Sequence, residues 1–422
     1  MDEQKILIAG AGMAGLFSAL ALARKGVDVV LITGRGKTGQ FADVDLGPAH
    51  VIGAGATQSL QRHFPDLIAE ISDRGAHFAD YPADSPDQED LQVLRCKRSL
   101  ISSALWSKIE KEESVTLIND RVTEIVKCKD RKDEKKVAIR TANSGDFFSD
   151  LIVNAAGRRT FRGHEAREQV HRTKYPLRYF TAWYLADYDS EEFVYGMKMD
   201  TDFGFVSGFA ANGNWICVAI VGYREAVIPY QLNQRKNFDE LLKNVCPAIH
   251  REILRVGARG IGRVVVANNL GSDPPTTVRF SNQHMVNVGD ARLVTNPMFG
   301  RGIALAFQSA EAIVNFDGSS CAALESKLNH WARDWHVADV AQSEDFLDRF
   351  ASLQHVPIEP RPEIEAFRSA LRTTRDLSLG GNIQAKNILL RFSQSISSPN
   401  EMLNFYLSQT QRTSPTIPEM EG

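Results

Sequence analysis

A glycine-rich turn between a short apolar strand and a helix constrains the fold of this chain more than any other feature. Residues Lys5–Ala9 read as a parallel strand buried on both faces, and Val27–Thr33 predicts a second strand after a helix. In the intervening GxGxxG turn, Gly10 permits the tight bend, Gly12 lets backbone approach a pyrophosphate, and Gly15 lets helix and strand pack closely. Because the free N–H groups at a helix N-terminus attract phosphate, this βαβ unit predicts a dinucleotide site.

A second motif lies near the other end of the chain. A predicted strand at Met285–Val288 leads into Asp290, whose carboxylate can accept hydrogen bonds from the ribityl hydroxyls of a flavin. The next helix is expected to begin at Gly300, Arg301 and Gly302. Its N–H groups would face the flavin pyrimidine edge, where negative charge gathers on reduction. The two motifs suit opposite ends of one molecule, and together they predict FAD as the cofactor.

The position that usually holds the adenosine ribose departs from the common pattern. Thr33 ends the second strand where Glu or Asp is typical, and Arg35 follows shortly. We therefore expect weak or exchangeable FAD, with Arg35 either on a phosphate or exposed in a loop. Arg98 opens a predicted helix that borders the cofactor in such folds, with a solvated helix arginine as the alternative.

The rest of the chain predicts two further regions. Strand-like runs between 178 and 223, split by Gly, Asn and Asp turns, indicate an antiparallel sheet. The segments around 59–72 and 388–405 are expected to be helical. The fold class is therefore α/β: a Rossmann-type FAD-binding domain, a mainly antiparallel β-sheet substrate domain and a helical C-terminal region. The expected boundaries are 1–165 with 276–330 for FAD, 166–275 for the sheet domain (45–90 are candidates to join it) and 331–422 for the helices.

The composition of the 422-residue chain limits the classes of partner and the cellular environment that are expected. Its 49 basic and 52 acidic residues nearly balance, which argues against general electrostatic binding of nucleic acid. There is no run of 18 apolar residues, so no membrane span is expected. The five scattered cysteines form no CxxC pair, which favours free thiols in a reducing cytoplasm. We expect no metal site.

Three places in the chain resemble the FAD-dependent aromatic monooxygenases of the p-hydroxybenzoate hydroxylase fold. The likeness is closer to the two-component styrene and indole monooxygenases, which use free reduced FAD. The first place is the second strand, which ends in Thr33 and soon reaches Arg35, as theirs does. The second is Ala49-His50, which is similar to an Ala-His pair in their next segment.

The third place is the motif near the C-terminal end. Asp290 after glycine, followed by Pro297-Met-Phe-Gly-Arg-Gly, resembles the Gly-Asp…Pro-x-x-Gly-Gln-Gly of that family. Arg301 stands here in place of Gln, and Asn296 in place of Asp. The likeness spans most of the chain, but outside these motifs it is thin.

The resemblance implies a monooxygenase that inserts one oxygen atom from O₂ into an aromatic or alkene substrate through a flavin C4a-hydroperoxide. Pro297, Met298 and Phe299 would pass beside the reactive edge of the flavin, and His50 would hydrogen-bond near the flavin or the substrate. Ordinary structural roles are the alternative for these residues. A substrate pocket could be roofed by aromatic residues of the first predicted strand of the antiparallel sheet, namely Tyr179, Phe180, Trp183 and Tyr184.

The source of electrons is indicated by a missing motif. Single-component hydroxylases carry an Asp-Gly motif that serves both FAD and NADPH, and at the comparable place this chain reads Asn154-Ala-Ala-Gly157-Arg158-Arg159. Its absence favours a separate flavin reductase as a partner.

Three alternatives remain open. Flavin halogenases share the fold and lack the same motif, although their Trp-x-Trp-x-Ile-Pro signature is absent at Gly213-Asn-Trp215-Ile-Cys-Val. A reductase that transfers hydride is the second alternative. The third is a maturation factor that oxidises an aromatic side chain of a partner protein, with the helices after residue 330 serving for docking or simply shielding the active site.

Overall fold

The computed structural model describes residues 5–34, 47, 50, 52–80, 91–127, 137–158, 165–167, 177–187, 197–223, 231–273, 275–278, 284–318, 320–348 and 361–410. Arg35, Ala49 and Arg159, on which the sequence analysis rests in part, lie outside these ranges.

The described strands are β1 (Lys5–Ala9), β2 (Asp28–Thr33), β3 (His77–Ala79), β4 (Val93–Arg95), β5 (Val115–Asn119), β6 (Val122–Lys127), β7 (Val137–Thr141), β8 (Asp146–Ser149), β9 (Leu151–Asn154), β10 (Glu165–Arg167), β11 (Leu177–Leu185), β12 (Met197–Thr201), β13 (Gly204–Ala210), β14 (Trp215–Tyr223), β15 (Arg259–Leu270), β16 (Thr276–Val278) and β17 (Met285–Asn287). The described α-helices are α1 (Met13–Ala23), α2 (Ala54–His63), α3 (Pro65–Asp73), α4 (Arg98–Ile109), α5 (Arg235–Val245), α6 (Pro247–Arg255), α7 (Gly302–Val314), α8 (Cys321–Leu347), α9 (Pro362–Leu379), α10 (Ile383–Ser393) and α11 (Pro399–Thr410).

A five-stranded parallel sheet in the order β17-β9-β1-β2-β5 forms the first layer. Its strands are almost continuously apolar because both faces are covered. On β1, Ile6 and Ile8 pack against helices α1, α4 and α7, whereas Leu7 and Ala9 pack with Ile139 of the small sheet β6-β7-β8. The carboxyl ends of β1, β9 and β17 therefore lie side by side, which is where ligands bind in such sheets.

A separate antiparallel sheet in the order β12-β13-β14-β11-β15 forms the second large element. Its two faces alternate along each strand. Phe180 and Ile220 pack against Phe238 of α5, whereas Tyr179 and Phe205 point to the opposite face. The aromatic run predicted to roof a pocket is thus divided, since only alternate residues of β11 can face the same side.

The four C-terminal helices share one hydrophobic core, to which α7 also contributes. Their shared core contains Leu305 from α7 and one large side chain from each of α8, α9, α10 and α11: Trp335, Phe367, Phe392 and Met402. The region is also joined to the first half of the chain. The Gly55 amide donates to Gln394 O (2.9 Å), and the Ala54 amide donates to Gln394 Oε1 (3.2 Å).

Most predicted elements are present, and two segments predicted to be helical are each divided into two helices. The segment 59–72 is divided because Pro65 starts α3 at its first turn. The segment 388–405 is divided because Ser395 adopts φ 58° after α10 and Pro399 begins α11. Within the described residues, no helix combines the length and apolar character needed to cross a membrane.

Candidate functional site

The glycine turn after β1 is dictated by packing at two of its three glycines. Gly10 has φ +103°, and a Cβ there would lie 2.6 Å from Ala155 O. A Cβ on Gly15 would lie only 1.9 Å from Gly10 O. Larger residues at these positions would therefore push α1 away from β1 and β9.

Gly12 has a different reason to lack a side chain. A Cβ at residue 12 would meet only Ala155 O, at 3.9 Å, so the fold itself leaves room for one. Gly12 is the N-cap of α1, no side chain caps this end, and Gly12, Met13 and Ala14 line a cavity. The helix N-terminus thus faces open space, which is the arrangement that binds phosphate.

The cavity has a volume of about 660 Å³, within the range of small-molecule and cofactor sites. Its two sides differ in chemistry. One side holds the end of α1, Asp290 and the segment Pro297–Gly302. The other is the face of the antiparallel sheet, with Tyr179, Phe205, Phe209, Ala219, Ala267 and Leu270.

Asp290 reaches the cavity from the end of β17. Gly289 adopts φ +58° beside α1, where a Cβ would lie 2.9 Å from Ala14 Cβ, and its amide donates to Ser309 Oγ (3.0 Å). Asp290 lines the cavity and the residue is accessible, although protein crowds its carboxylate. The surrounding protein raises the pKa of Asp290, because the group is poorly solvated, while Arg158 and Arg98 act in the opposite sense. A ligand that donates hydrogen bonds would favour the ionised form.

Three further polar residues lie on the cavity wall. Arg98 begins α4, and its Nη1 lies 3.5 Å from His50 Nε2. Both line the cavity. The third, Arg158, was not predicted: it follows Gly157 at the carboxyl end of β9, and its Nε donates to Asp273 Oδ2 at 2.6 Å. The signal was its place after a buried strand beside β1.

Other predicted site residues do not line the cavity or lie outside the residues that the structure describes. Thr33 ends β2 and is buried, but it is not among the residues that line the cavity. Arg35 lies outside the described residues. Gly10 and Gly15 support the turn from behind rather than lining the cavity.

The predicted catalytic segment forms a single 3-10 turn, Pro297–Phe299. Asn296 caps it by accepting from the Met298 amide (3.0 Å), and its own amide donates to Asp339 Oδ2 of α8 (2.7 Å). The Asn296 side chain also donates to Ser343 Oγ (2.9 Å). Pro297, Met298 and Phe299 all line the cavity. The hydrogen bonds of Asn296 connect this turn to α8.

Gly300, Arg301 and Gly302 complete this wall of the cavity, with Gly300 at φ +66° and α7 beginning at Gly302. The side chain of Arg301 is buried toward the C-terminal helices. Its guanidinium carbon lies 5.1 Å from the Phe299 ring centre, 5.3 Å from Trp335 and 4.3 Å from Phe392. Burial lowers the pKa of Arg301 to about 10.

The residues present fit FAD. An uncapped helix end for phosphates, a carboxylate for hydroxyl groups and a second helix N-terminus for the pyrimidine edge border one cavity. The open space at Gly12 is the position that a Cβ would fill. The described residues contain no cluster of three or more His, Cys, Asp or Glu side chains suited to a metal ion.

Comparison with known proteins agrees with this geometry. Residues 5–176, less than half of the 422-residue chain, match the family model described as glucose inhibited division protein A. The match covers β1, the glycine turn, α1 and β9, which supply the dinucleotide-binding part of the cavity.

Solved structures of several flavoproteins are similar to this chain. The probable FAD-dependent monooxygenase pqsL from Pseudomonas aeruginosa has a TM-score of 0.64 at 16% identity, covering 83% of this chain and 97% of that chain. The flavin-dependent brominase Bmp2 has a TM-score of 0.66 at 14% identity, covering 97% and 99%. The flavin-dependent halogenase CmlS has a TM-score of 0.60 at 17% identity, covering 86% and 67%. The predicted α/β fold class is confirmed, and FAD is the cofactor that this fold supports.

Proposed function

We propose that this protein is an FAD-dependent monooxygenase that inserts one oxygen atom from O₂ into a small aromatic or alkene substrate. One observation carries the proposal: a single cavity joins the residues that fit FAD to an apolar, partly aromatic sheet face. Tyr179, Phe205 and Phe209 lie on that face. A cofactor on one side and an apolar substrate on the other would share a space from which bulk water is largely excluded.

Each part of the wall has a role in this proposal. The N-terminus of α1 binds the cofactor phosphates, and Asp290 accepts hydrogen bonds from the ribityl hydroxyls. The amides near Gly300 and Gly302 face the pyrimidine edge. When bound, reduced FAD supplies the activation of O₂, so the chain need not provide an indispensable acid or base. Pro297–Phe299 excludes water and positions the substrate.

The division of labour among the regions is also a proposal. Residues 1–165 with 276–330 would hold FAD, 166–275 would hold the substrate, and 331–422 would shield the site. In support, Asn296 is hydrogen-bonded to Asp339 and Ser343 of α8, so the residue that caps the turn Pro297–Phe299 is in direct contact with the C-terminal helices.

We further propose that a separate reductase provides the reduced flavin, as in the styrene and indole monooxygenases that the chain resembles. The place of the Asp-Gly motif of single-component enzymes is occupied by Gly157-Arg158, and Arg158 is engaged by Asp273. An arginine tied in this way does not supply the carboxylate of that motif.

The test compares two sources of electrons. In stopped-flow experiments, oxidised holoprotein mixed with NADH or NADPH should bleach very slowly. FAD reduced by an added flavin reductase should support consumption of styrene or indole, with incorporation of one ¹⁸O atom from labelled O₂. Fast, saturable bleaching by NADPH alone would instead indicate a single-component hydroxylase. Absence of ¹⁸O from every product of a panel of alkenes and arenes would remove the oxygenase proposal.

A halogenase of the same fold is the second candidate. The observation that favours it is Arg301, a buried cation in the cavity wall, because a halogenase must hold a halide ion. Product that forms only when chloride or bromide is added, and that contains the halogen, would favour this candidate over the monooxygenase.

A further inference from the structure

The guanidinium of Arg301 is a buried charge without a hydrogen-bond acceptor. Its side chain is 1% exposed, and none of its three nitrogens has a hydrogen-bond partner within the part of the chain that the structure describes. Its nearest anionic atom is Asp339 Oδ1, 3.9 Å from Nη1, which is beyond hydrogen-bond distance. Asp339 Oδ1 likewise has no hydrogen-bond partner among the described residues, whereas Oδ2 accepts from the Asn296 amide.

Such an arrangement is costly for a folded protein. Buried charges are normally paired and hydrogen-bonded, and an arginine offers five N–H donors. The rings of Phe299, Trp335 and Phe392 compensate in part through cation–π contacts, but rings accept no conventional hydrogen bond. The donors of Arg301 therefore require an acceptor that the described residues do not provide.

The position of Arg301 indicates where that acceptor would come from. Arg301 is among the residues that line the cavity, as are its neighbour Phe299 and Gln342. The buried Oε1 of Gln342 also lacks a hydrogen-bond partner among the described residues. Two residues of the cavity lining thus have buried side-chain polar atoms without a partner among the described residues, and Arg301 is the one that carries donors.

We propose that Arg301 anchors a subsite for a monovalent anion, either a free halide ion or the carboxylate of an organic substrate. This inference rests on the proposed function in one respect, namely that the cavity is the one that binds substrate. It adds the chemical class of that substrate. A single guanidinium, with Asp339 nearby, is suited to one negative charge; a doubly charged phosphate would need more donors than this wall offers. The planar guanidinium also matches the carboxylate of an organic acid, which it can hold through two parallel hydrogen bonds.

The experiment uses the oxidised holoprotein, because anion binding needs no turnover. Sodium bromide and sodium benzoate are titrated separately by isothermal calorimetry, with sodium sulfate keeping the ionic strength constant. The variants are Arg301→Gln, Arg301→Lys and, as a matched control, Arg62→Gln. Arg62 is an exposed arginine paired with Glu311 at 2.8 Å, remote from the cavity lining.

We expect at least one probe to bind, with a dissociation constant about 10- to 100-fold higher in Arg301→Gln and unchanged in Arg62→Gln. Arg301→Lys should retain bromide better than benzoate, since lysine keeps the charge but loses the bidentate fork. Bromide binding alone would assign the subsite to a halide, and benzoate binding alone to an acidic aromatic substrate. Either supports the proposal.

No binding of either probe to the wild type, or equal binding to wild type and Arg301→Gln, would overturn the proposal. If Arg301→Gln fails to fold, the wild-type protein is crystallised in the presence of bromide and the anomalous signal of the bound ion is located. An anomalous peak within hydrogen-bond distance of Arg301 supports the subsite, and its absence overturns it. A protein that binds the anion at Arg301 but never oxygenates a substrate would refute the proposed function and leave the subsite intact.

Discussion

Replacing Asp290 by alanine should weaken FAD binding without weakening the fold. The carboxylate faces the cavity, and the two arginines that lower its pKa, Arg98 and Arg158, also line it. Loss of a hydrogen bond to a charged group costs about 1.5–3 kcal/mol. That is about a 10- to 150-fold increase in the dissociation constant of FAD.

The apoprotein should respond in the opposite direction. The surroundings raise the pKa of Asp290 in the folded state. An acid with a raised folded pKa binds its proton more tightly when folded, so stability falls as the pH rises from the usual carboxyl pKa through the raised one. At pH 7.5 the ionised carboxylate opposes folding, and the melting temperature of Asp290→Ala apoprotein should equal or exceed that of the wild type.

Fluorescence titration with FAD, together with thermal melting of both apoproteins, measures the two effects. Asp376→Ala, an exposed aspartate on α9, is the matched control and should change neither. Wild-type affinity should also rise with pH through the raised pKa, because the ionised form accepts the hydrogen bonds, whereas Asp290→Asn should lack this dependence. Equal dissociation constants for wild type and Asp290→Ala would remove Asp290 from the site.

Four other substitutions test the cavity wall and the residues that support it. Gly12→Val should fold but purify without flavin, because the new side chain has space within the protein but intrudes on the cavity, whereas Gly15→Ala should reduce the yield of folded protein. Absorbance spectra measure the bound flavin and circular dichroism measures folding, and a yellow Gly12→Val protein would contradict the dinucleotide site. Burial raises the pKa of Asp339 to about 6, so the free energy of unfolding of the wild type should fall by on the order of 1–3 kcal/mol relative to Asp339→Asn as the pH rises from about 4 to about 6. Urea unfolding measures this difference, and unfolding free energies of the two proteins that change in parallel with pH would refute the prediction. Phe299→Ala should release more hydrogen peroxide per O₂ consumed while the FAD dissociation constant stays within about twofold, and unchanged coupling would show that Phe299 does not seal the site.

The parallel sheet could be predicted from the sequence because its strands are buried on both faces. Runs such as Lys5–Ala9 and Leu151–Asn154 are apolar throughout or nearly so, and the glycines that follow them are local signals. β15 was not predicted. Its residues, Arg259–Leu270, mix arginine and asparagine with valine, and its register on β11 shifts twice, so no period of two is visible.

The site was predictable where it depends on the backbone and not where it depends on distant packing. Asp290 and the glycines follow from strand and helix ends. The surroundings of Arg301 come from Trp335 on α8 and Phe392 on α10, and the partner of Arg158 is Asp273. No local pattern in a sequence places such residues together.

The cavity wall combines residues that are synthesised far apart in time. Gly12 and Ala14 line it from α1, and Ser393 and Gln394 line it from the end of α10. A ribosome adds roughly 5–20 residues per second, so the opposite wall follows the phosphate end by roughly tens of seconds. During that interval the nascent chain presents a helix end with no enclosure around it. We therefore expect FAD to be acquired only after the end of α10 has been synthesised and has packed against the rest of the wall.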